Sequence, residues 1–340
     1  MWVGVVLELM GRRRPRIVPE VLVSQSRLHR RALLQGLAAA TTFAAPAAAD
    51  EHEAIAFVAL GDWGQRGRRS QHQVAKAMAT TAADLSSRFV LAAGDNFYPA
   101  GVRSVEDAHW QDSFEDIYTA PALQTPWYAA LGNHDYRGRV QAQIDYTALS
   151  HRWRMPSRYF AIGGDELGTS LIDLFVIDTA PLVDGGNYDE MLQQIARGHL
   201  ERHDGGDQIA WLDQALGRSR APWKIVMGHH PVYSGGHGDN PELVDQVAPL
   251  LEAHGVQLYI NGHDHSLQHI RRGQVDYVCT GSGAEARDRV VAVEGTRFYL
   301  SRPGFAAFKV GRDALDLTFR DLDGRPVYDV SLPRERPSRV

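Results

Sequence analysis

Seven residues of this chain have side chains that could hold metal ions: Asp62, Asp95, Tyr98, Asn133, His229, His263 and His265. They fall in five short fragments, Gly61-Asp62-Trp63-Gly64, Gly94-Asp95-Asn96-Phe97-Tyr98, Gly132-Asn133-His134-Asp135, Gly228-His229-His230-Pro231 and Gly262-His263-Asp264-His265. Carboxylates, a phenol, a carboxamide and imidazoles form the mixed oxygen and nitrogen donor set of a hydrolytic two-metal site. Such a site needs roughly six to eight ligands, one of them a bridging carboxylate, and open positions for water and substrate. His263 and His265 point the same way if extended, but in a loop they can straddle two ions about 3.5–4 Å apart. A lone His-x-His is more often a solvated loop; four companion fragments reverse those odds.

Each fragment follows a short apolar run that reads as a buried strand, over 55–60, 89–93, 127–131, 224–227 and 256–260. Loops leaving the C-terminal edge of such strands converge, which is where open α/β sheets place their sites. Helical spacing of apolar residues predicts helices over 70–86 and 207–217. A third is predicted over 241–254, with Asn240 as N-cap ahead of Pro241. The alternation indicates a layered α/β fold. Strand-like runs over 305–310, 314–319 and 326–332, parted by turn residues, make the chain end in an antiparallel meander. With no Pro/Gly/Ser-rich linker between the fragments, one domain over roughly 54–332 is expected, interrupted by a polar surface loop or short-helix insertion over 182–207.

At 340 residues and 44% hydrophobic content the chain can bury a large core. Its first fifty residues differ from the rest. Seven arginines precede an apolar stretch that ends Ala47-Ala48-Ala49. This is the order of an export signal: basic region, apolar region, small-residue cleavage site. His29-Arg30-Arg31-Ala32-Leu33-Leu34 resembles a twin-arginine signal. A membrane anchor or a basic arm are the alternatives, and Gln35, Gly36, Thr41-Thr42 and Pro46 make a spanning helix poor. Residues 1–49 are therefore read as a cleaved export region and 50–340 as the working domain. Removing seven Arg and two Glu leaves 29 basic and 39 acidic residues, a net of −10 against −5 for the whole chain. Such a surface repels nucleic-acid backbones. Cys279 is the only cysteine, so no internal disulfide can form, and its apolar run suits a buried core thiol better than a catalytic one.

The order of the five motifs resembles the calcineurin-like metallophosphoesterase superfamily and, within it, the purple acid phosphatases of the small tartrate-resistant type. The likeness extends to 152–159, to 208–212 and to the end strands from Gly304. Most members of the superfamily have Asp-x-His at the first motif, whereas this chain has Asp62-Trp63-Gly64; in exchange Tyr98 follows Asp95 by three residues. The resemblance implies a four-layer β-sandwich flanked by helices. It assigns Asp62, Asp95, Tyr98 and His265 to an iron(III) and Asn133, His229 and His263 to a divalent iron, zinc or manganese, with Asp95 bridging. Two carboxylates, one phenolate and a bridging hydroxide would leave a trivalent–divalent pair with one net positive charge, suited to binding phosphate without trapping it.

By the same resemblance the chain is an exported, periplasmic or secreted acid phosphatase that cleaves phosphate monoesters by attack of a metal-activated hydroxide. Its substrates would be small phosphate esters or phosphoproteins, with no nucleic-acid binding, no stable membrane insertion and a monomeric state. His134 resembles the family's outer-sphere catalytic histidine. His237 lies where relatives carry a second, one residue closer to His229, and His230 competes with it for the leaving group. Trp63 and Phe97 are expected to pack beneath the metals. His72, His109, His151, His254 and His269 default to surface or satisfied polar roles, and His199 with His203 to a solvated helix face. Other readings are a broader phosphodiesterase or nucleotide hydrolase, an iron-redox protein generating reactive oxygen species, and a non-catalytic binding protein. The missing Asp-x-His weighs against the first; the complete ligand set weighs against the last.

Overall fold

The computed structural model describes residues 54–183, 205–287 and 289–334. The export region and the pair His199 and His203 lie outside them. Strands β1 (Ile55–Leu60), β2 (Phe89–Ala92), β3 (Trp127–Ala129) and β4 (Trp153–Arg154) run parallel and open a first sheet. The chain then builds a second sheet from β5 (Phe160–Ile162), β6 (Ile172–Val176), β7 (Trp223–Met227), β8 (Leu258–Asn261), β9 (Leu267–Arg272), β10 (Val275–Thr280) and β11 (Thr296–Leu300). Here β6, β7, β8 and β10 are the parallel core and the others add antiparallel edges. Finally β12 (Gly304–Val310), β13 (Ala314–Asp321) and β14 (Pro326–Pro333) return as the expected meander, joining the first sheet through β12 on β1. Two mixed seven-stranded sheets result.

The sheets face each other because their strands alternate. In β7, Ile225 and Met227 enter the main core with Phe57, Val58, Leu91 and Phe308 of the first sheet, while Val226 turns to a second core. The same two-residue period places Leu258 and Ile260 inward and Tyr259 outward. Helix α1 (Gln71–Asp84) covers the first sheet with Val74, Ala75 and Met78, and α2 (Gly205–Arg218) covers the second with Leu212 and Leu216. No helix among the described residues is long and apolar enough to cross a membrane.

The helix expected over 241–254 is broken into α3 (Pro241–Gln246) and α4 (Ala248–Ala253). Pro249 explains the break, since it has no N–H to return to the carbonyl of Asp245. Asn240 stands at the cap position through its carbonyl, which accepts from Leu243 and Val244. Its side chain does not cap the helix as expected; the amide donates to the Pro231 carbonyl at 2.6 Å instead.

Beneath the ends of β1–β4 lies a block of aromatic rings. Trp63 packs within 5.7 Å of Phe97 and of Trp127, and Trp110 stands edge-on to Trp153 at 5.1 Å and stacks on Tyr146 at 3.6 Å. The buried Arg152 guanidinium fastens this block. It sits 4.0 Å from the Phe114 ring centre, donates to the carbonyls of Tyr118 and Phe114, and pairs with Glu115 at 2.9 Å. Trp153 also donates to the Gln143 carbonyl at 2.9 Å. Trp153→Ala should therefore lower stability by about 3–5 kcal/mol, the usual cost of emptying a large aromatic site. An unchanged urea midpoint would contradict the structural role given to this block.

Candidate metal centre

The C-terminal ends of the parallel strands in both sheets meet along one edge. Asp62 leaves β1, Asp95 leaves β2, Asn133 follows β3, His229 leaves β7, and His263 and His265 follow β8. The loops are tied together before any side chain is considered. Asp62 N–H donates to Gly94 O at 3.0 Å, Gly61 N–H to Thr280 O at 2.9 Å and Gly262 N–H to His229 O at 3.1 Å. Asp62, Asp95 and His263 all hold left-handed backbone, with φ of 58°, 50° and 69°. L-residues avoid this region, and its cost is tolerated where surroundings over-determine it. Here it turns the chain sharply across the edge after β1, β2 and β8.

All seven predicted ligands are brought together, in two groups. In the first, the Tyr98 hydroxyl lies 2.7 Å from Asp62 Oδ1, 2.8 Å from Asp95 Oδ2 and 3.1 Å from His265 Nε2. In the second, Asn133 Oδ1 lies 3.1 Å from both His229 Nε2 and His263 Nδ1. Asp95 belongs to both, because its Oδ1 is 3.5 Å from His229 Nε2. Donors bound at about 2.0–2.1 Å in an octahedral array sit about 3 Å apart, so these separations would suit donors around bound ions.

The donor chemistry fits cations as well as the distances do. A phenol has one proton and cannot satisfy two buried carboxylates at once. His229 Nδ1 must carry its proton toward the Ala93 carbonyl, an acceptor only, at 2.8 Å. Its Nε2 faces Asn133 Oδ1 and Asp95 Oδ1. Burial lowers the ring, but the charges of Asp95 and Asp62 hold it above its ordinary value, so positive charge is favoured at this point. Oxygens that converge in a buried pocket favour positive charge between them, which a bound cation would supply. The titration behaviour agrees. Burial raises Tyr98 well above its ordinary value, and the charges of Asp62 and Asp95 add to this. Burial would raise Asp62 too, but the bond to His265 and the charge of His229 hold it at about 2. A carboxylate kept ionised beside a phenol kept neutral is a balance that a highly charged cation tips toward phenolate.

The candidate catalytic histidines occupy different settings. His134 donates its backbone N–H to Asp95 Oδ1 at 2.7 Å, and its Nδ1 meets the Pro99 carbonyl at 2.7 Å. Its Nε2 stands 3.9 Å from Asp95 Oδ2, at the rim of the first group. The half-exposed His237 has its ring 4.9 Å from that of His263 and its Nδ1 at 2.6 Å from Asp264. His230 is buried, with Nδ1 2.8 Å from the Thr179 hydroxyl and its ring 4.5 Å from that of His263. Burial, with the nearby charges of His263 and His229, drives it well below its ordinary value. His230 also joins His229 and His263 in one cluster of mutually close ligand atoms.

Several supporting residues escaped the sequence reading. Asp135 is buried and accepts from the amides of Gly132 at 2.9 Å, Asn96 at 3.1 Å and the side chain of Gln143 at 2.9 Å. Burial and the charge of Asp95 raise it to about 7. Thr179 follows β6, a strand end the sequence reading passed over, and its hydroxyl accepts from the backbone amides of His229 at 3.3 Å and His230 at 3.0 Å. Cys279 is the core thiol expected, lying 3.4 Å from the carbonyls of Gly262 and Asp264 beneath the His263–His265 turn. Trp63 and Phe97 are fully buried, as expected. His109 and His269 are buried and bonded, His109 to the Tyr98 carbonyl and Ser113, His269 to Asp276 and Tyr328.

A family model described as "Calcineurin-like phosphoesterase" matches residues 55–267. "Purple acid phosphatase 3" of Arabidopsis thaliana is 40% identical over 81% of this chain and 76% of its own length. "Tartrate-resistant acid phosphatase type 5" of Homo sapiens is 34% identical over 83% of this chain and 91% of its own length. Among solved structures, "GAP50 the anchor in the inner membrane complex of Plasmodium" aligns with a TM-score of 0.70 at 22% identity, over 84% of this chain and 90% of that one. That likeness is one of fold, and fold alone does not carry an activity.

Gly64, where most of the superfamily has histidine, has no room for any side chain. A Cβ there would lie 1.8 Å from the Asn96 carbonyl oxygen. Gly64→Ala should destabilise the protein by about 1–3 kcal/mol, the range for overpacking a tight site. A thermal midpoint equal to wild type would show that the 94–98 loop yields more readily than this packing implies.

Proposed function

Because this chain belongs to the calcineurin-like phosphoesterase family and, within it, to the purple acid phosphatases, we propose that it is an exported acid phosphatase cleaving phosphate monoesters at a dinuclear iron(III)–divalent metal centre. That it is a phosphoester hydrolase follows from the family. The iron, the monoester preference and the export are the proposal. The observation that carries it is Asp95, whose two oxygens face two separate donor groups, one with a phenol and two carboxylates and the other with neutral donors.

Asp62, Asp95, Tyr98 and His265 would hold the trivalent ion, and Asn133, His229 and His263 the divalent one, with Asp95 shared. Phenolate and carboxylate oxygens are hard anionic donors suited to iron(III), whereas imidazole and carboxamide suit a divalent metal. Bound there, the two ions would supply Lewis acidity to the phosphoryl oxygens and to water. The protein's own groups do the rest. His134 is fixed through Nδ1, which leaves Nε2 on the metal side to meet a phosphoryl oxygen. His237 stands on the opposite rim, beside the divalent ligand His263, where a leaving alkoxide needs a proton. His230 is less suited to that role because burial holds it neutral.

The decisive measurement is a visible spectrum with metal analysis before and after Tyr98→Phe. The wild type should be coloured by phenolate-to-iron charge transfer and contain iron, and the variant should lose the band. A colourless, iron-free wild type would refute the iron centre. The metal-loaded protein should hydrolyse an aryl phosphate in preference to a bis-aryl phosphodiester; the reverse order would favour a phosphodiesterase.

Residues 1–49 are proposed to direct export by a twin-arginine route, which carries proteins already folded around their metals. Arg30→Lys with Arg31→Lys should leave the protein in the cytoplasm, as seen by fractionation. Undiminished export of the double variant would remove this route.

A further inference from the structure

Asp264 lies between two candidate ligands, His263 and His265, yet its side chain turns away from both donor groups and is wholly buried. All of its acceptor capacity is committed. Oδ1 accepts from His237 Nδ1 at 2.6 Å and from the His237 backbone amide at 3.3 Å. Oδ2 accepts from the Ser234 hydroxyl and from the Gln268 side-chain amide at 2.6 Å. The same partners hold the loop that delivers His237. Gly236 N–H donates to the Ser234 oxygen at 2.8 Å and Gly235 N–H to Gln268 Oε1 at 2.8 Å. A Cβ on Gly236 would come within 2.6 Å of Asp264 Oδ2, so the loop also lies flat against the carboxylate.

We propose that Asp264 is a positioning residue that sets the ring orientation and tautomer of His237, so that Nε2 is the nitrogen presented to the substrate's leaving group. A carboxylate fixed by four donors cannot rotate, and it accepts only from an N–H. Nδ1 therefore keeps its proton inward. The second proton, carried on Nε2 in the imidazolium form, is the one given to the leaving alkoxide, and its loss leaves the Nδ1–H tautomer. The dyad explains why a half-exposed histidine on a glycine-rich loop has one orientation beside His263. An unsupported ring there would sample several rotamers and lose the alignment that leaving-group contact needs. This inference rests on the phosphatase reading for what His237 meets, but not for how the ring is held.

Two measurements test it. With selectively ¹⁵N-labelled histidine in metal-stripped protein, His237, assigned by its loss in His237→Ala, should show the Nδ1–H tautomer in wild type. In Asp264→Asn that signature should shift toward Nε2–H. In metal-replete protein of verified metal content, Asp264→Asn should reduce kcat/KM for an alkyl phosphate about tenfold more than for an aryl phosphate with a good leaving group, within the range of proton-transfer effects. His237→Ala should give the same split, with little further loss in the double variant. Ser234→Ala, a milder release of the same carboxylate, should move both readouts in the same direction. An unchanged tautomer spectrum, or equal losses with both substrates, would overturn the dyad. A wild type inactive on both substrates would instead sink the phosphatase reading, and the spectrum alone would then decide the dyad.

Discussion

The constraint on which the structure turns is that the buried Tyr98 hydroxyl lies 2.7 Å from Asp62 Oδ1 and 2.8 Å from Asp95 Oδ2, with one phenolic proton between two buried carboxylates. Backbone amides of His263 and His134 reach Asp62 Oδ2 at 2.8 Å and Asp95 Oδ1 at 2.7 Å, but the two oxygens turned toward Tyr98 share its single proton, a set that folding alone gives no reason to build. Its cost is met by a rigid frame. Left-handed backbone at Asp62 and Asp95 is locked by amide-to-carbonyl bonds between neighbouring strand ends, and the Trp63–Phe97–Trp127 block fills the space below. Strain, aromatic packing and converging anions therefore serve one purpose, which is to present preorganised donors to cations.

The second sheet meets the same constraint with different chemistry. Its contribution is imidazoles, three of which have one nitrogen anchored: His229 through the Ala93 carbonyl, His230 through Thr179, His237 through Asp264. Anchoring one ring nitrogen fixes what the other can do, and outer partners of this kind orient metal-binding histidines generally. The two sheets thus divide the work, with the first supplying most of the charge and the second most of the neutral, oriented nitrogen. Asp95 joins the two donor groups, with Oδ2 beside Tyr98 and Oδ1 beside His229.

Much of this was legible in the sequence because the chemistry sits at strand ends. Apolar runs such as 55–60 and 89–93 are long enough to read as strands, and the Gly-Asp and Gly-His steps after them mark where backbones must pack closely. The terminal meander was legible from turn residues at 311–313 and 323–324. What was not legible depends on partners far away in sequence. Asp135 reads as a loop carboxylate until Asn96 and Gln143 close around it, and Thr179 matters only because β6 lies beside β7. Asp264 is absent from the ligand set that the resemblance assigns, but its bond to His237 spans a separation that no local pattern encodes. The helix at 241–254 was overextended for a local reason: the apolar spacing continues through Pro249, and the missing amide was given too little weight.

The exchange of histidine for tyrosine between the first and second motifs looks in the sequence like two independent departures, thirty-four positions apart. In space it is one. Tyr98 N–H donates to the Gly64 carbonyl at 2.8 Å, and the Asn96 carbonyl occupies the volume that a Gly64 side chain would need. A histidine at 64 would displace the 96–98 turn, and displacing that turn would withdraw the Tyr98 hydroxyl from Asp62 and Asp95. In this backbone, then, the chain can offer the imidazole or the phenol at this corner, but not both. Choosing the phenol replaces a neutral donor by one that can become an anion, and so suits the corner to a more highly charged ion. The glycine is the steric condition under which that tyrosine reaches the site.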